Sequence, residues 1–271
     1  MCKQAKLKVG IAVLGTVGKA VAKAIDNGIP GVSLTAISAR DEQKSADWLA
    51  TLQRPPKNMS FEEMALACDV IIECAPAAIL NDIAIPVLKA GKILIVLSCG
   101  ALLSRPDLID LAKEHGAHIH VPTGALLGLD AVIAAAEGSI NSVTMVTRKP
   151  VEGLLGAPYL ADRGINIENA TEAIRIFKGT AREAAVGFPA NLNVAVALSL
   201  AGVGPDKTQL EIWADPELTR NTHRIIVESD AAHLEMCIEN IPTENPKTGR
   251  ITAQSVVAML RKMGAPLRIG T

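Results

Sequence analysis

Along the first half of the chain, short unbroken apolar runs alternate with longer amphipathic stretches. Residues 8–14 form a β-rich apolar run that ends at Gly15. In residues 19–27, Ala20, Val21, Ala24 and Ile25 recur at i, i+1, i+4 and i+5, which is one face of a helix, and Gly28 lies just past its end. Runs 32–39, 70–74, 93–97 and 118–121 predict further strands. Stretches 79–90 and 106–115 predict helices stopped by Gly91 and Gly116. An unbroken run such as 70–74 suits a strand covered on both faces. Strands separated by helices imply right-handed crossovers and a parallel sheet.

The pattern changes after about residue 125. Residues 142–148 and 172–178 read as strands. Thr180-Ala181-Arg182-Glu183 is a capping box, in which hydroxyl and carboxylate satisfy the first free amides of a helix that ends at Phe188-Pro189. Residues 192–201 are apolar nearly all round, as in a buried helix, with Gly202 beyond the end. Strands follow at 208–214, 224–229 and 233–239. In the last of these, Leu234, Met236 and Ile238 face one way while His233, Glu235 and Glu239 face the other. A Pro/Asn/Gly stretch, 242–249, precedes a final helix over 252–263. The expected fold is α/β: a Rossmann-type parallel-sheet domain over 1–125, then an α+β domain for catalysis and dimerisation over 126–249. The segment 250–271 is expected to pack back on the first domain. The Leu234 face is the expected surface of a homodimer, unless helix 192–201 covers it within one chain.

Composition narrows the classes. Of 271 residues, 49% are apolar and 20% charged, a globular balance, and aromatics at 2% leave an aliphatic core. So few aromatics provide no stacking platform for single-stranded nucleic acid. A net charge of −1 gives no pull toward nucleic acid or anionic membrane. No apolar run approaches the ~20 residues that span a bilayer. The N-terminus lacks a signal-peptide pattern, and Cys2, Cys68, Cys74, Cys99 and Cys237 are scattered without C-x-x-C spacing. Reduced thiols in the cytoplasm are expected.

Gly15-Thr16-Val17-Gly18 sits between the first strand and the first helix, where a dinucleotide fingerprint belongs. Gly15 lets backbone approach a pyrophosphate and Gly18 lets the helix pack closely on the strand. Val13 stands where the first fingerprint glycine would be. A valine there is expected to be extended rather than at positive φ. The second strand ends Ile37-Ser38-Ala39-Arg40, with no carboxylate until Asp41. Ser38 and Arg40 suit a ribose 2′-phosphate, because guanidinium pairs with phosphate. Farther on, Pro122-Thr123-Gly124-Ala125 begins at a strand's carboxyl edge, Asn191 and Asn193 lie at the mouth of the apolar helix, and Asn221-Thr222-His223 is read as a polar loop. A histidine exchanges protons near neutral pH, as dehydrogenation of an amine or alcohol requires. His118 and His120 alternate on one strand but lack Cys, Asp or Glu at ligand spacing, so no metal site is expected. Cys99, in an apolar setting, reads as a structural thiol.

The chain resembles the L-aspartate dehydrogenase family. The resemblance is carried by Ile72-Glu73-Cys74-Ala75, Pro122-Thr123-Gly124-Ala125, Gly128-Leu129-Asp130, Lys178-Gly179-Thr180, Phe188-Pro189-Ala190-Asn191-Leu192-Asn193-Val194-Ala195, Ala214-Asp215-Pro216, Asn221-Thr222-His223 and Ile238-Glu239-Asn240-Ile241-Pro242, followed by Glu244-Asn245-Pro246-Lys247-Thr248. It implies reversible oxidative deamination of L-aspartate, through iminoaspartate to oxaloacetate and ammonia, with NAD or NADP, and in some members a supply of iminoaspartate to NAD biosynthesis. It places the catalytic histidine on His223 and cofactor contacts on Ala125 and on Asn191 or Asn193, with Asn193 the better match by spacing. The expected cofactor-binding set is then Gly15, Thr16, Val17, Gly18, Ser38, Arg40, Ala75, Ala125, Asn191 and Asn193. Thr123, Lys178 and Arg224 are the expected holders of the substrate carboxylates. Homoserine dehydrogenase, imine reductase and a non-catalytic dinucleotide sensor remain as competing readings of the same glycine loop.

Overall fold

The computed structural model describes residues 5–39, 42–188, 192–243 and 249–270. It divides into two compact units, Met1–Pro122 with Ala253–Ile269, and Thr123–Thr252 with Gly270–Thr271.

The first unit is built on six parallel strands: β1 (Leu7–Ala12), β2 (Val32–Ser38), β3 (Lys57–Asn58), β4 (Val70–Glu73), β5 (Ile93–Val96) and β6 (His118–His120). Their order is β3-β2-β1-β4-β5-β6. The chain reverses direction of travel across the sheet between β1 and β4. The carboxyl ends of those two strands are therefore the topological switch point where such sheets bind ligands. Helices α1 (Thr16–Asp26), α2 (Glu42–Leu49), α3 (Phe61–Ala67), α4 (Leu80–Lys89) and α5 (Asp107–Glu114) make the crossovers. Val21, Ala22 and Ile25 of α1 pack with Val9, Ile11, Ile37, Ile72 and Ile95 in one cluster. The last helix of the chain, Arg250–Gly264, adds Val256 and Leu260 to it, both fully buried. Each such side chain contributes about 1.5–3 kcal/mol by leaving water, which ties the C-terminal segment to this unit. The hydrophobic pattern predicts no element over 42–69, where the structure has α2, β3 and α3. Helix α3 is seven residues long and stands on a Ser60–Glu63 capping box rather than on a long apolar stripe.

The second unit holds a mixed sheet of β7 (Ile140–Lys149), β8 (Ile174–Thr180), β9 (Gln209–Ala214), β10 (Asn221–Ser229) and β11 (His233–Asn240), in the order β11-β10-β7-β9-β8. Only β7 and β9 pair in parallel. Period-two alternation splits it cleanly. Val143, Met145, Thr147 and Lys149 of β7, Leu210, Ile212 and Ala214 of β9, and His223, Ile225 and Val227 of β10 are buried. Helices α6 (Leu129–Ala136), α7 (Pro158–Arg163), α8 (Ala181–Gly187) and α9 (Asn193–Ala201) complete the unit. Gly202, just past α9, lies close to both Val132 of α6 and Val143 of β7, which brings these helices onto the buried face. Thr180 and Glu183 make the expected capping box, with Glu183 N–H to Thr180 Oγ1 at 3.2 Å and Thr180 N–H to Glu183 Oε2 at 2.7 Å.

The register pairs Leu234 with Val227, Met236 with Ile225 and Ile238 with His223, so all three lie on the buried side of the sheet. They are half-buried, and Met236 packs directly on Gly128. The expected dimer surface is thus partly covered by the chain's own loop. The open side is the opposite one, with Thr144, Val146, Trp213 and Ile226 half-buried among charged neighbours.

Candidate active site

At the carboxyl end of β1 the backbone turns sharply. Val13 N–H donates to Ser38 O at 3.1 Å, and Val13 sits at φ 71°, the one described non-glycine residue at positive φ. The expectation of an extended valine is therefore corrected: the turn keeps the left-handed geometry of a fingerprint glycine although the residue is β-branched. An L-residue in that region costs about 1–2 kcal/mol. Gly18 accounts for the tightness, since a Cβ there would stand 2.6 Å from Val13 O. Gly15 precedes α1 and offers no side-chain cap to its first-turn amides. Glycine-like backbone at 13, no Cβ at 15 and 18, and an uncapped helix N-terminus fit a dinucleotide pyrophosphate. Thr16 and Val17 form the first turn of that helix. Ser38 is half-buried at the end of β2. Arg40 lies outside the described residues.

Glu73 ends β4 wholly buried, a burial that a carboxylate at the end of an apolar run does not reveal in sequence. Its Oε1 accepts from Ala75 N at 2.7 Å, and its Oε2 accepts from Leu97 N at 3.0 Å, Ser98 N at 2.9 Å and Ser98 Oγ at 2.8 Å. Burial pushes this carboxyl above its ordinary range, and the bonds from Ser98, Ala75 and Leu97 pull it back. One carboxylate thus ties the carboxyl ends of β4 and β5 together and orients the amide of Ala75, an expected cofactor contact.

In the second unit His223 lies within β10, not in a loop, and is 3% exposed. Asn221 and Thr222, polar residues read as loop, pair with Asn240 and Arg148 and extend the strand. His223 is paired with Thr147 of β7, whose Oγ1 is 3.2 Å from its Nδ1. Lys149 lies two residues along β7 on the same face and is also buried. Burial first, and the Lys149 charge second, lower the His223 pKa to about 3. Ile225, Val227, Met145 and Val143 make the rest of this face apolar, so the polar groups occupy one end of it. Asn240 of β11 lies at that same end, buried, and its Nδ2 donates to Ala125 O at 2.9 Å. That bond fixes the turn of Thr123 to Leu126, in which Thr123 is exposed and its carbonyl accepts from Leu126 N. Asn193 is the exposed first residue of α9, while Asn191 lies outside the described residues.

Two expected carboxylate holders are not brought to His223. Arg224, the next residue along β10, points to the open side and pairs with Glu235 (Nε to Oε1, 2.9 Å). Lys178 is exposed and pairs with Glu211 on the open side as well (3.3 Å). In a strand, neighbours in sequence face opposite ways, so proximity to His223 along the chain misplaces a side chain by a whole sheet thickness. Lys149 was missed because the predicted strand stopped at residue 148. One more residue at period two puts a lysine in line with Val143, Met145 and Thr147.

Comparison with known proteins agrees with this geometry. Residues 130–263 match the C-terminal domain family of aspartate dehydrogenase, and residues 14–122 match the NAD-binding domain family of homoserine dehydrogenase. The chain is 58% identical to L-aspartate dehydrogenase 3 of Bordetella bronchiseptica, over 100% of both chains. It is 55% identical to the L-aspartate dehydrogenase of Bradyrhizobium diazoefficiens, over 98% of this chain and 95% of that one. The crystal structure of aspartate dehydrogenase from Thermotoga maritima superposes with a TM-score of 0.73 at 24% identity, covering 97% of this chain and 99% of that one, and so shares the fold. A NAD-binding sheet unit followed by a histidine-bearing mixed sheet, at more than half identity to full-length relatives, places this chain in the L-aspartate dehydrogenase family.

Proposed function

We propose that the protein catalyses the nicotinamide-dependent oxidation of L-aspartate to oxaloacetate and ammonia. The observation that carries this reading is the neutral imidazole of His223, held by Thr147 beside a buried Lys149 at the polar end of the sheet. In the tautomer whose Nδ1 donates to Thr147 Oγ1, Nε2 keeps its lone pair and serves as the base. A pKa of about 3 keeps the ring unprotonated in the free protein, and entry of a dianionic amino acid raises its proton affinity. His223 then takes a proton from the substrate amine or from the water that hydrolyses iminoaspartate. Gly15, Thr16, Val17 and Gly18, with Ala75, Ala125 and Asn193 or Asn191, would hold the dinucleotide, which would supply the hydride acceptor. Aspartate, water and oxidised cofactor balance against oxaloacetate, ammonium, reduced cofactor and a proton. Thr123 remains a proposed substrate contact.

NADP is proposed to serve at least as well as NAD, on the strength of Ser38 and Arg40 in place of a strand-end carboxylate. Arg40→Ala should raise KM for NADP more than for NAD, and equal changes would remove the 2′-phosphate role. A homodimer is proposed, joined through the open side of the second unit's sheet. Among the described residues no helix is long and apolar enough to cross a membrane. Among the described residues Cys68, Cys74 and Cys237 are free thiols, and a cytoplasmic location is proposed on that ground.

Absorbance at 340 nm with each cofactor against L-aspartate, homoserine and other amino acids tests the reaction. L-Aspartate should give the highest kcat/KM. A clearly better substrate in the panel would overturn the assignment.

A further inference from the structure

Asn240 closes β11 and is 3% exposed. The register pairs it with Asn221, and pairs Ile238 with His223. Asn240 therefore lies on His223's side of the sheet, as its diagonal neighbour on the next strand. Its Nδ2 donates to Ala125 O at 2.9 Å, a bond between residues 115 apart in sequence. Its Oδ1 is, among the described residues, the one buried side-chain oxygen or nitrogen with no hydrogen-bond partner. Gly249 closes over that oxygen, for a Cβ there would stand 3.2 Å from Oδ1. An acceptor buried without a donor costs more than a neutral hydrogen bond returns. On stability alone an apolar side chain would serve better at this position, and departures of that kind belong to functional sites.

We propose that Asn240 is a positioning residue: it ties the turn of Thr123 to Leu126 to the strands that bear His223, so that Ala125 meets the dinucleotide at a set place relative to the base. This rests on the reading above, in which Ala125 contacts the cofactor. The turn needs an external tie. Gly124, in its middle, sits at φ 63°, and glycine adopts positive and negative φ about equally well, so the local chain does not choose by itself. The bond from Leu126 N–H to Thr123 O, 3.0 Å, closes the turn without anchoring it to the sheet. The Asn240 amide anchors it, and the anchoring explains the unmatched oxygen. A backbone carbonyl only accepts, so the carboxamide must present its nitrogen to Ala125 and leave its oxygen toward Gly249.

Asn240→Leu removes the tie and the unmatched oxygen together. Its melting temperature should be unchanged or higher. The dissociation constant of the reduced dinucleotide, read by its fluorescence, should rise about three- to tenfold, the size of one hydrogen bond. The kcat for L-aspartate should fall about tenfold or more, since small misplacements near the reacting atoms are costly. A residue with a purely structural role would lose stability and function together, and that result overturns the proposal. Asn240→Asp keeps the shape but can donate to Ala125 O only when its carboxyl is protonated. Relative to wild type at each pH, its deficit in dinucleotide affinity should shrink from pH 8 toward pH 5, and that of Asn240→Leu should not. If Asn240→Leu does not fold, Asn240→Asp decides: a deficit that shrinks upholds the tie, and one that is constant or absent at every pH overturns it. A folded Asn240→Leu with dinucleotide affinity and kcat within twofold of wild type overturns it as well. A wild type that binds the dinucleotide but does not turn over L-aspartate refutes the reaction instead, and leaves dinucleotide affinity to decide on Asn240.

Discussion

Val13 holds a backbone conformation that its side chain disfavours, and it does so at the turn that shapes the phosphate loop. Val13→Gly should relieve about 1–2 kcal/mol of strain and lose about 0.5–1 kcal/mol to the extra freedom of an unfolded glycine. The expected outcome is a small net gain in stability, seen as a melting temperature higher by a few degrees, with dinucleotide affinity kept or tightened. A lower melting temperature would show that valine's packing outweighs its strain. His223 permits a sharper test. Unfolded, its imidazole protonates near pH 6.5; folded, only near 3. As pH falls through that window the unfolded state takes up a proton that the folded state refuses, so stability is lost. Between pH 7 and pH 5 the wild type should lose about 2 kcal/mol more than His223→Gln, measured by denaturant unfolding at each pH. The same variant should lower kcat by about 10²–10⁴-fold with cofactor binding intact. Equal pH slopes, or a fall in kcat under threefold, would return this histidine to a packing role.

At the scale of elements, the strands with long apolar runs were legible because burial on both faces leaves no room for polar residues. The boundaries of β1, β4 and β5 lie within two residues of the hydrophobic pattern, and the Thr180–Glu183 capping box marks the start of α8. What escaped the pattern has a physical reason in each case. Helix α3 is too short to show a period, and β10 begins with two polar residues, Asn221 on the side of His223 and Thr222 on the other, which the hydrophobic pattern cannot assign to a strand. The base was identified while its cationic neighbour was not, since which side of a sheet a residue faces depends on register and parity rather than on nearness in sequence. Glu73 is the clearest example of a tertiary role hidden in an apolar run. Its four accepted bonds couple β4 to β5 at the edge where the cofactor is proposed to bind. Glu73→Ala leaves the amides of Ala75, Leu97 and Ser98 without their acceptor and should cost about 3 kcal/mol in denaturant unfolding. Glu73→Gln, with one acceptor oxygen instead of two, should lose less. Both should weaken dinucleotide binding through the released Ala75 turn, and undisturbed binding in folded Glu73→Ala would make the clasp purely structural.

The whole molecule has one sheet surface left to explain. The side of the second sheet that carries His223 is occupied by the chain's own helices and by the Gly128 loop. On the other side Thr144, Val146, Trp213 and Ile226 are half-buried. Val146 and Ile226 lie near its middle, and Trp213 is flanked by the guanidinium groups of Arg148 and Arg175 at 5.2 and 5.8 Å. Around them run ion pairs, Arg224 with Glu235 and Arg175 with Glu211. Apolar residues ringed by paired charges are the make-up of an interface rather than of a fully solvated face, which would alternate with polar residues throughout. Two-fold pairing of one face with itself is the commonest closed assembly. Light scattering at micromolar concentration should therefore give twice the chain mass. Ile226→Lys puts a charge in the middle of the surface and should yield folded monomers. Met236→Lys acts on the covered side, where it strains the Gly128 contact, so it should lower the melting temperature without dissociating whatever dimer remains folded. A wild-type monomer would dispose of the dimer altogether. A dimer that survives Ile226→Lys and separates with Met236→Lys would move the interface back to the Leu234 side, with the Gly128 loop displaced to admit a second chain.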